Sequence, residues 1–246
     1  AELVKNEKAV WLDYGRDNYA TVTWSDVPEK DGRRLSLGWM SNWDYAQKVP
    51  TTSWRSAMTI ARELVLKNTS EGFRLFGAPV REMNSLRSAT FNIVNTDINQ
   101  SLDITSDLGF SPVISEMEFE VVTEGSAGFG VELSNSKGEV YRVGLDGNTG
   151  KFYSDRTKSG KVDFDPKFSR VTYAPRISKD QTVKMHLFFD AASMELFADD
   201  GSIQLTDIFF PTQEFNQIKL FSDGKANLKK GTVYKLKPMS THTAKF

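Results

Sequence analysis

The stretch Met117-Glu118-Phe119-Glu120-Val121 alternates apolar and acidic side chains. Successive side chains of a β-strand point to opposite faces of the sheet, so this period of two buries one face and solvates the other. Similar short apolar or β-branched runs recur along the chain between clusters of Gly, Asp, Asn and Ser, which is typical of sandwiches, barrels and propellers. The candidate strands are residues 10–13, 19–24, 35–39, 58–66, 73–76, 116–122, 128–133, 140–145, 183–190, 193–198, 203–209 and 218–222. We therefore predict an all-β fold.

Turn residues between these runs support the prediction. Asp146-Gly147-Asn148 and Asp199-Asp200-Gly201 each separate two candidate strands. Asp-Gly and Gly-Asn pairs favour tight hairpin turns because glycine and asparagine tolerate positive φ. Ser222-Asp223-Gly224 is predicted to be a third turn.

Composition excludes several classes of function. The 246 residues contain 31 Lys and Arg against 32 Asp and Glu, so no basic excess points to a nucleic-acid partner. The chain has no cysteine, which excludes disulfides, thiol nucleophiles and cysteine-ligated metals. With only two histidines we expect no metal site, and no motif predicts a cofactor. No apolar run approaches the length of a membrane helix, so we expect no membrane partner.

Tryptophan is distributed unevenly. All five tryptophans lie within the first 54 residues and none follows. This shift in composition predicts two units with different roles. We place one unit at residues 1–78, a linker at 79–87 and a β-sandwich at 88–246.

Three motifs follow one another in the first unit. They are Asp13-Tyr14-Gly15-Arg16-Asp17-Asn18-Tyr19-Ala20, Ser41-Asn42-Trp43-Asp44-Tyr45-Ala46, and Trp54-Arg55-Ser56-Ala57-Met58 with Arg62-Glu63-Leu64. In order and spacing they resemble motifs of glycoside hydrolase family 32, the β-fructofuranosidases, invertases, inulinases and levanases. Ala61 departs from the proline that this family usually has before Arg-Glu-Leu. Stretches at residues 79–87, 152–160 and 194–201 are also similar to the family.

The resemblance implies a fold and a reaction. The fold would be the last blades of a five-bladed β-propeller followed by a C-terminal β-sandwich. The reaction would be hydrolysis of β-fructofuranosidic bonds in levan, inulin or sucrose by a retaining double displacement, which uses two carboxylates. The resemblance places the nucleophilic Asp and the acid/base Glu before Asp13, in motifs that this sequence does not contain. We therefore expect no catalytic residue here and no activity of this chain alone.

The resemblance also implies substrate-binding residues. Asp13 and Arg16 would pair at the active-site funnel and bind sugar hydroxyls, and Trp43 would stack on a fructosyl unit. Of the other tryptophans, Trp11, Trp24 and Trp39 are expected in the core between blades. Arg62 and Glu63 are expected to form a buried pair.

An incomplete propeller exposes open sheet edges, which invite pairing with another chain. The expected partners are a fructan or sucrose, a missing N-terminal propeller half, and a second copy of the chain bound through the open edges. Since fructans are large extracellular polymers, the resemblance implies a secreted, periplasmic or cell-surface bacterial protein. Two other functions stay open for the sandwich: a carbohydrate-binding module, or a purely structural support for the propeller.

Overall fold

A first antiparallel sheet begins the part of the chain, residues 9–237, that the computed structural model describes. The strands are β1 (Tyr19–Thr23), β2 (Arg34–Met40), β3 (Ala57–Met58), β4 (Arg62–Thr69) and β5 (Gly72–Pro79). Their order is β1-β2-β4-β5, with β3 paired to β2. Residues 10–13 do not form the predicted strand. They are extended toward the second sheet instead.

The second sheet follows a short 3-10 helix, Arg81–Leu86. Its ten strands are β6 (Arg87–Asp103), β7 (Ser115–Thr123), β8 (Phe129–Ser134), β9 (Val140–Asp146), β10 (Lys151–Lys158), β11 (Val171–Pro175), β12 (Thr182–Asp190), β13 (Ser193–Ala198), β14 (Ile203–Ile208) and β15 (Gln217–Leu236). All of its strand pairs are antiparallel. A single α-helical turn, α1 (Thr105–Leu108), follows β6. The all-β prediction is confirmed.

The sheet forms two layers that are joined by strand β15. Strands β8 to β11 lie on one side of β15 in the strand order, and β7 with β12 to β14 lie on the other. The first residues of β15 pair with β8 and its later residues pair with β7. Its register against β6 shifts between Phe221 and Lys225. The predicted turn at Ser222–Gly224 is therefore wrong, because this segment is an irregularity within one long strand. Such irregularities bend and twist a strand, which lets β15 pass from one layer to the other. The other two predicted turns lie between β9 and β10 and between β13 and β14.

The core fills the space between the two layers. In β7 the apolar residues Met117, Phe119 and Val121 are buried, while Glu120 is exposed. The period-two reading of this strand is therefore confirmed. Among the residues that the structure describes, no helix is long and apolar enough to cross a membrane.

The first unit packs against the edge of the second sheet. The Tyr14 and Asp17 amides donate to the Gln204 and Thr206 carbonyls of edge strand β14, at 2.8 and 3.2 Å. Gly15 lies so close to Thr206 that an added Cβ would come 2.1 Å from its amide nitrogen. The motif glycine is therefore required by a backbone contact between the units, and this contact places the functional side chains described next.

Candidate functional site at the interface of the two units

Arg62 is a buried cation that joins the two units. It begins β4, and its Nη1 donates to Asp13 Oδ2 (2.7 Å) and to Gln204 Oε1 (2.9 Å). Its Nη2 donates to Glu195 Oε2 (2.6 Å) and to the Thr206 hydroxyl (2.6 Å). Two carboxylates from different units thus share one guanidinium in a site removed from water. Such a group is strongly destabilised when one member is lost.

Asp13 lies at the centre of this cluster. Besides Arg62, its carboxylate accepts from the Thr206 amide (3.0 Å) and hydroxyl (2.6 Å), the Gly15 amide (2.8 Å) and the Asn18 side chain (3.1 Å). Burial alone would raise the pKa of Asp13, but the Arg62 charge and these hydrogen bonds outweigh burial and lower it. The pKa of Glu195 is instead raised by burial, despite Arg62.

The structure changes two expected pairings. Asp13 pairs with Arg62 and not with Arg16. Arg62 pairs with Asp13 and Glu195 and not with its neighbour Glu63. Both oxygens of Asp13 accept from protein donors. Sugar binding by Asp13, Arg16 and Trp43 stays a prediction.

A second buried cluster surrounds Arg156 of β10. Its Nη1 donates to Asp17 Oδ2 (2.5 Å) and to the Ile208 carbonyl (3.1 Å), and its Nη2 donates to the Tyr45 hydroxyl (2.9 Å). Tyr45 in turn donates to Asp17 Oδ1 at 2.6 Å. The guanidinium carbon lies 4.0 Å from the centre of the Phe168 ring. The motif residues Asp17 and Tyr45 are therefore fixed to the sandwich by one arginine.

Asp207 is a second carboxylate beside Arg156. Its Oδ1 lies 3.9 Å from Arg156 Nη1 and has no hydrogen-bond partner among residues 9–237, while Oδ2 accepts from Tyr141 (3.2 Å). Burial raises the pKa of Asp207 to about 6. This carboxyl group therefore ionises with difficulty in the folded state.

The free energy of unfolding should depend on pH through the ionisation of Asp207. The folded state holds this proton more tightly than the unfolded chain, so the contribution to stability falls as pH rises from about 4 through about 6. When the pH rises from 4 to 7, the unfolding free energy of Asp207→Asn should increase by about 2–3 kcal/mol relative to that of the unmodified chain. Urea titrations at several pH values measure this difference. Asp190→Asn, at an exposed position, is the control, and a pH-independent difference for Asp207→Asn would contradict the assignment.

Trp43 and Arg16 lie together on an exposed surface next to these clusters. Trp43 is 61% exposed. The Asn42 side chain donates to the Arg16 carbonyl (2.8 Å), and Arg16 Nη2 donates to Asp44 Oδ2 (2.9 Å). Asp44 also accepts from Lys167 of the sandwich at 2.7 Å. Arg16 is thus hydrogen-bonded to the residues on either side of Trp43, which places it next to the exposed tryptophan.

The other tryptophans differ from the expectation of a core. Trp11 and Trp24 are exposed by 64% and 44%. Trp39 is partly buried and packs on Trp43, with ring centres 4.8 Å apart. Within residues 9–237 the chain therefore leaves tryptophan surface uncovered, and the ring of Trp43 packs on Trp39.

One group of potential metal ligands occurs in the described part of the chain: Glu116, Glu118 and His186. Arg87 donates to Glu116 (2.5 Å) and to Glu118 (2.9 Å), and His186 Nε2 lies 2.7 Å from Glu116. A metal ion would have to displace the guanidinium from both carboxylates. The group is therefore better described as an ion cluster between β6, β7 and β12.

Sequence reasoning missed several residues of the interface. Glu195, Arg156, Asp207 and Lys167 had no predicted role there. A signal existed for Glu195, which interrupts an otherwise apolar strand, Met194-Glu195-Leu196-Phe197, at a buried position. A charge at a core position indicates a partner, since unpaired buried charges are very costly. The identity of that partner is not contained in the local sequence.

Comparison with known proteins connects these residues to a family. Residues 1–79 match the model of the glycosyl hydrolases family 32 N-terminal domain, and residues 82–235 match that of the family 32 C-terminal domain. The chain is 38% identical over 240 residues to a levanase of Bacillus subtilis, covering 95% of this chain and 36% of the levanase. It is 32% identical over 232 residues to an extracellular exo-inulinase of Aspergillus niger, covering 90% of this chain and 41% of that protein.

Solved structures give the same picture of the fold. The exo-inulinase of Aspergillus awamori superposes with a TM-score of 0.79 at 26% identity, covering 95% of this chain and 46% of that one. A β-fructofuranosidase of Schwanniomyces occidentalis, complexed with fructosyl-erythritol, has a TM-score of 0.79 at 21% identity, covering 95% and 50%. This agreement confirms the predicted architecture of propeller blades followed by a sandwich. The chain spans about two fifths of the length of these curated relatives and about half of these structures.

Proposed function

Because this chain belongs to glycosyl hydrolase family 32, we propose that it is the C-terminal part of an enzyme that cleaves β-fructofuranosidic bonds in fructans or sucrose. The observation that carries the proposal is the joint surface of Arg16 and Trp43 beside the interface of the two units. Tryptophan offers a flat apolar ring for the C–H face of a sugar, and a guanidinium donates to hydroxyl oxygens. Together they form one wall of a fructosyl-binding pocket.

The chemistry would be a retaining double displacement. This reaction needs a nucleophile and an acid/base carboxyl about 5–5.5 Å apart. Asp13 and Asp17 are buried in ion pairs, and Asp44 is bonded to both Arg16 and Lys167. We assign the two catalytic carboxylates to a preceding N-terminal propeller segment, so that this chain positions substrate and performs no bond cleavage.

The first test is fructose release. The purified chain and the same chain joined to an N-terminal family 32 propeller segment are incubated with levan, inulin and sucrose. We expect fructose only from the joined polypeptide. Hydrolysis by the chain alone would contradict the assignment of the catalytic carboxylates, and no hydrolysis by a folded joined polypeptide would overturn the proposed function.

Trp43 should determine substrate affinity in the joined polypeptide. Aromatic contacts contribute about 0.5–1.5 kcal/mol beyond burial, so we expect Trp43→Ala to lower kcat/KM about tenfold, mainly through a higher KM. Steady-state kinetics with short fructans measures the change. Val94→Ala, at an apolar position on β6 of the sandwich that is 70% exposed, is the control and should retain the parent kinetics. An unchanged KM in the tryptophan variant would remove Trp43 from the pocket.

The exposed apolar side chains of the first sheet support a missing propeller partner. Val22 of β1, Leu66 of β4 and Phe73 of β5 are each more than 60% exposed. Strands β1 and β5 are the ends of the strand order, and edge strands favour association with another chain. We expect light scattering to show concentration-dependent self-association of the chain alone and none of the joined polypeptide.

Secretion is part of the same proposal. The substrates are polymers that an enzyme meets outside the cell, and one relative is described as extracellular. We propose a secreted, periplasmic or cell-surface location.

A further inference from the structure

An aromatic row crosses the outer face of the sandwich. Strand pairing places Tyr173 of β11 beside Tyr153 of β10, and Tyr153 beside Gly144 of β9. The row continues from Gly144 to Gly130 of β8 and ends at Phe221 of β15. The two glycines in the middle of this row, Gly144 and Gly130, place no side chain above the sheet. The Phe221 ring lies over Gly130, where an added Cβ would come 2.5 Å from the ring. Aromatic rings thus stand at both ends of a shallow depression.

This depression, the tyrosine recess, has a volume of about 210 Å³. The two tyrosine ring centres are 6.4 Å apart with the planes tilted by 42°, and Tyr173 is 52% exposed. Its lining comes entirely from the sandwich and comprises Gly128, Leu145, Asp146, Tyr153, Asp155, Val171, Tyr173, Phe221 and Asp223. The recess is therefore separate from the Arg16 and Trp43 surface.

Two carboxylates of the recess each use one oxygen within the protein. Asp155 Oδ1 accepts both the amide (2.9 Å) and the hydroxyl (2.6 Å) of Thr157. Asp223 Oδ1 accepts the Gly128 amide. The Oδ2 atoms of Asp155 and Asp223 are left as acceptors for a ligand. Burial raises the pKa of Tyr153, so its phenol stays protonated and can donate.

The chemistry of the lining selects a neutral, hydroxyl-rich ligand. The recess is lined by three aspartates, and Arg142, whose guanidinium lies over the Phe221 ring, is paired with Glu132, so the lining disfavours a phosphate or another anion. Sugar rings offer apolar C–H faces to the tyrosines and hydroxyl donors to the carboxylates. The volume is below the roughly 300–1,000 Å³ of a pocket for a drug-sized ligand. It therefore suits one ring of a longer chain.

We infer that the tyrosine recess is a second carbohydrate site, which binds a fructosyl unit of a fructan polymer away from the catalytic pocket. The identity of the sugar rests on the proposed function, while the preference for a neutral carbohydrate rests on the recess alone. A second site on the same polypeptide raises the local concentration of polymer near the first. Tyrosines supply an aromatic platform here, in a part of the chain that contains no tryptophan.

Affinity electrophoresis tests this inference on the chain as it stands. The chain migrates through native gels that contain levan, inulin or dextran, and we expect retardation by a fructan and none by dextran. Tyr173→Ala should weaken the retardation at least about tenfold, which corresponds to about 1.4 kcal/mol. Val94→Ala, at an exposed apolar position on β6 away from the recess lining, should migrate like the unmodified chain.

A second measurement does not depend on a variant. Addition of nystose to the unmodified chain should shift the NMR resonances of the Tyr153 and Tyr173 rings. The absence of retardation by both fructans, equal retardation by dextran, or unshifted tyrosine resonances would each overturn the inference. Fructose release by the joined polypeptide without retardation of this chain would overturn the recess alone. Retardation without fructose release would overturn the proposed function alone.

Discussion

Arg62→Met should lower the unfolding free energy by about 3–5 kcal/mol, the usual cost of breaking a buried ion pair from one side. The substitution keeps an apolar stem of similar length but leaves Asp13 and Glu195 without their shared cation. Urea unfolding measures the loss. All five tryptophans lie in the first unit, so their fluorescence reports that unit while far-UV circular dichroism reports the whole chain. We expect the transition monitored by fluorescence to move to lower urea and to separate from the transition monitored by circular dichroism.

Two matched variants identify the cause of this loss. Arg81→Met removes an arginine whose side chain is 72% exposed and whose ion pairs are long, so a change of no more than about 1 kcal/mol is expected. The triple variant R62M/D13N/E195Q removes the unpaired charges along with the arginine and should regain most of the stability. A triple variant as unstable as R62M would show that uncompensated charge is not the cause.

Arg156→Met should produce a loss of similar size, about 3–5 kcal/mol, by a different route. Arg156 holds Asp17 and Tyr45, and its removal leaves Asp17 and Asp207 as two buried acids without a cation. Tyr45 anchors the segment that presents Trp43, so hydrogen exchange of the amides in residues 41–48 should become faster. Mass spectrometry after deuterium labelling measures this exchange.

Arg142→Met is the control for this second variant. Arg142 lies on the neighbouring strand β9 with its side chain 50% exposed, and it pairs only with Glu132. We expect a loss of less than about 1 kcal/mol and unchanged exchange in residues 41–48. If the Arg156 variant also leaves that exchange unchanged, then Arg156 does not fix the segment that carries Trp43.

Local patterns predicted some strands well and missed others. Strand β7 was found because its apolar residues alternate, and a core on one face enforces that alternation. Strand β6, seventeen residues long, was missed because most of its side chains are exposed and many are Asn, Asp or Ser. Its position is fixed by pairing with β15, which is a contact across more than a hundred residues.

In the candidate site, local motifs identified residues but not all of their partners. The motifs singled out Arg16, Asn42 and Trp43, and the structure hydrogen-bonds Arg16 to Asn42 and Asp44, the two chain neighbours of Trp43. A role of these residues in substrate binding stays a prediction. The motif also singled out Asp13, but its predicted partner was three residues away. The actual partner, Arg62, lies 49 residues away. Local spacing favours near partners, whereas a buried carboxylate takes the cation that the packed units place beside it.

The sequence by itself determined the all-β class, the hairpin turns at Asp146 and Asp199, and the family to which the motifs belong. These follow from the period of the strands and from residue types that turns require. Only the tertiary structure decided that Arg62 and Arg156 tie the two units together, that β15 crosses both layers, and that two tyrosines and Phe221 line one recess. Each of these depends on residues far apart in the chain, whose proximity is set by how two sheets pack and which buried charges they must neutralise.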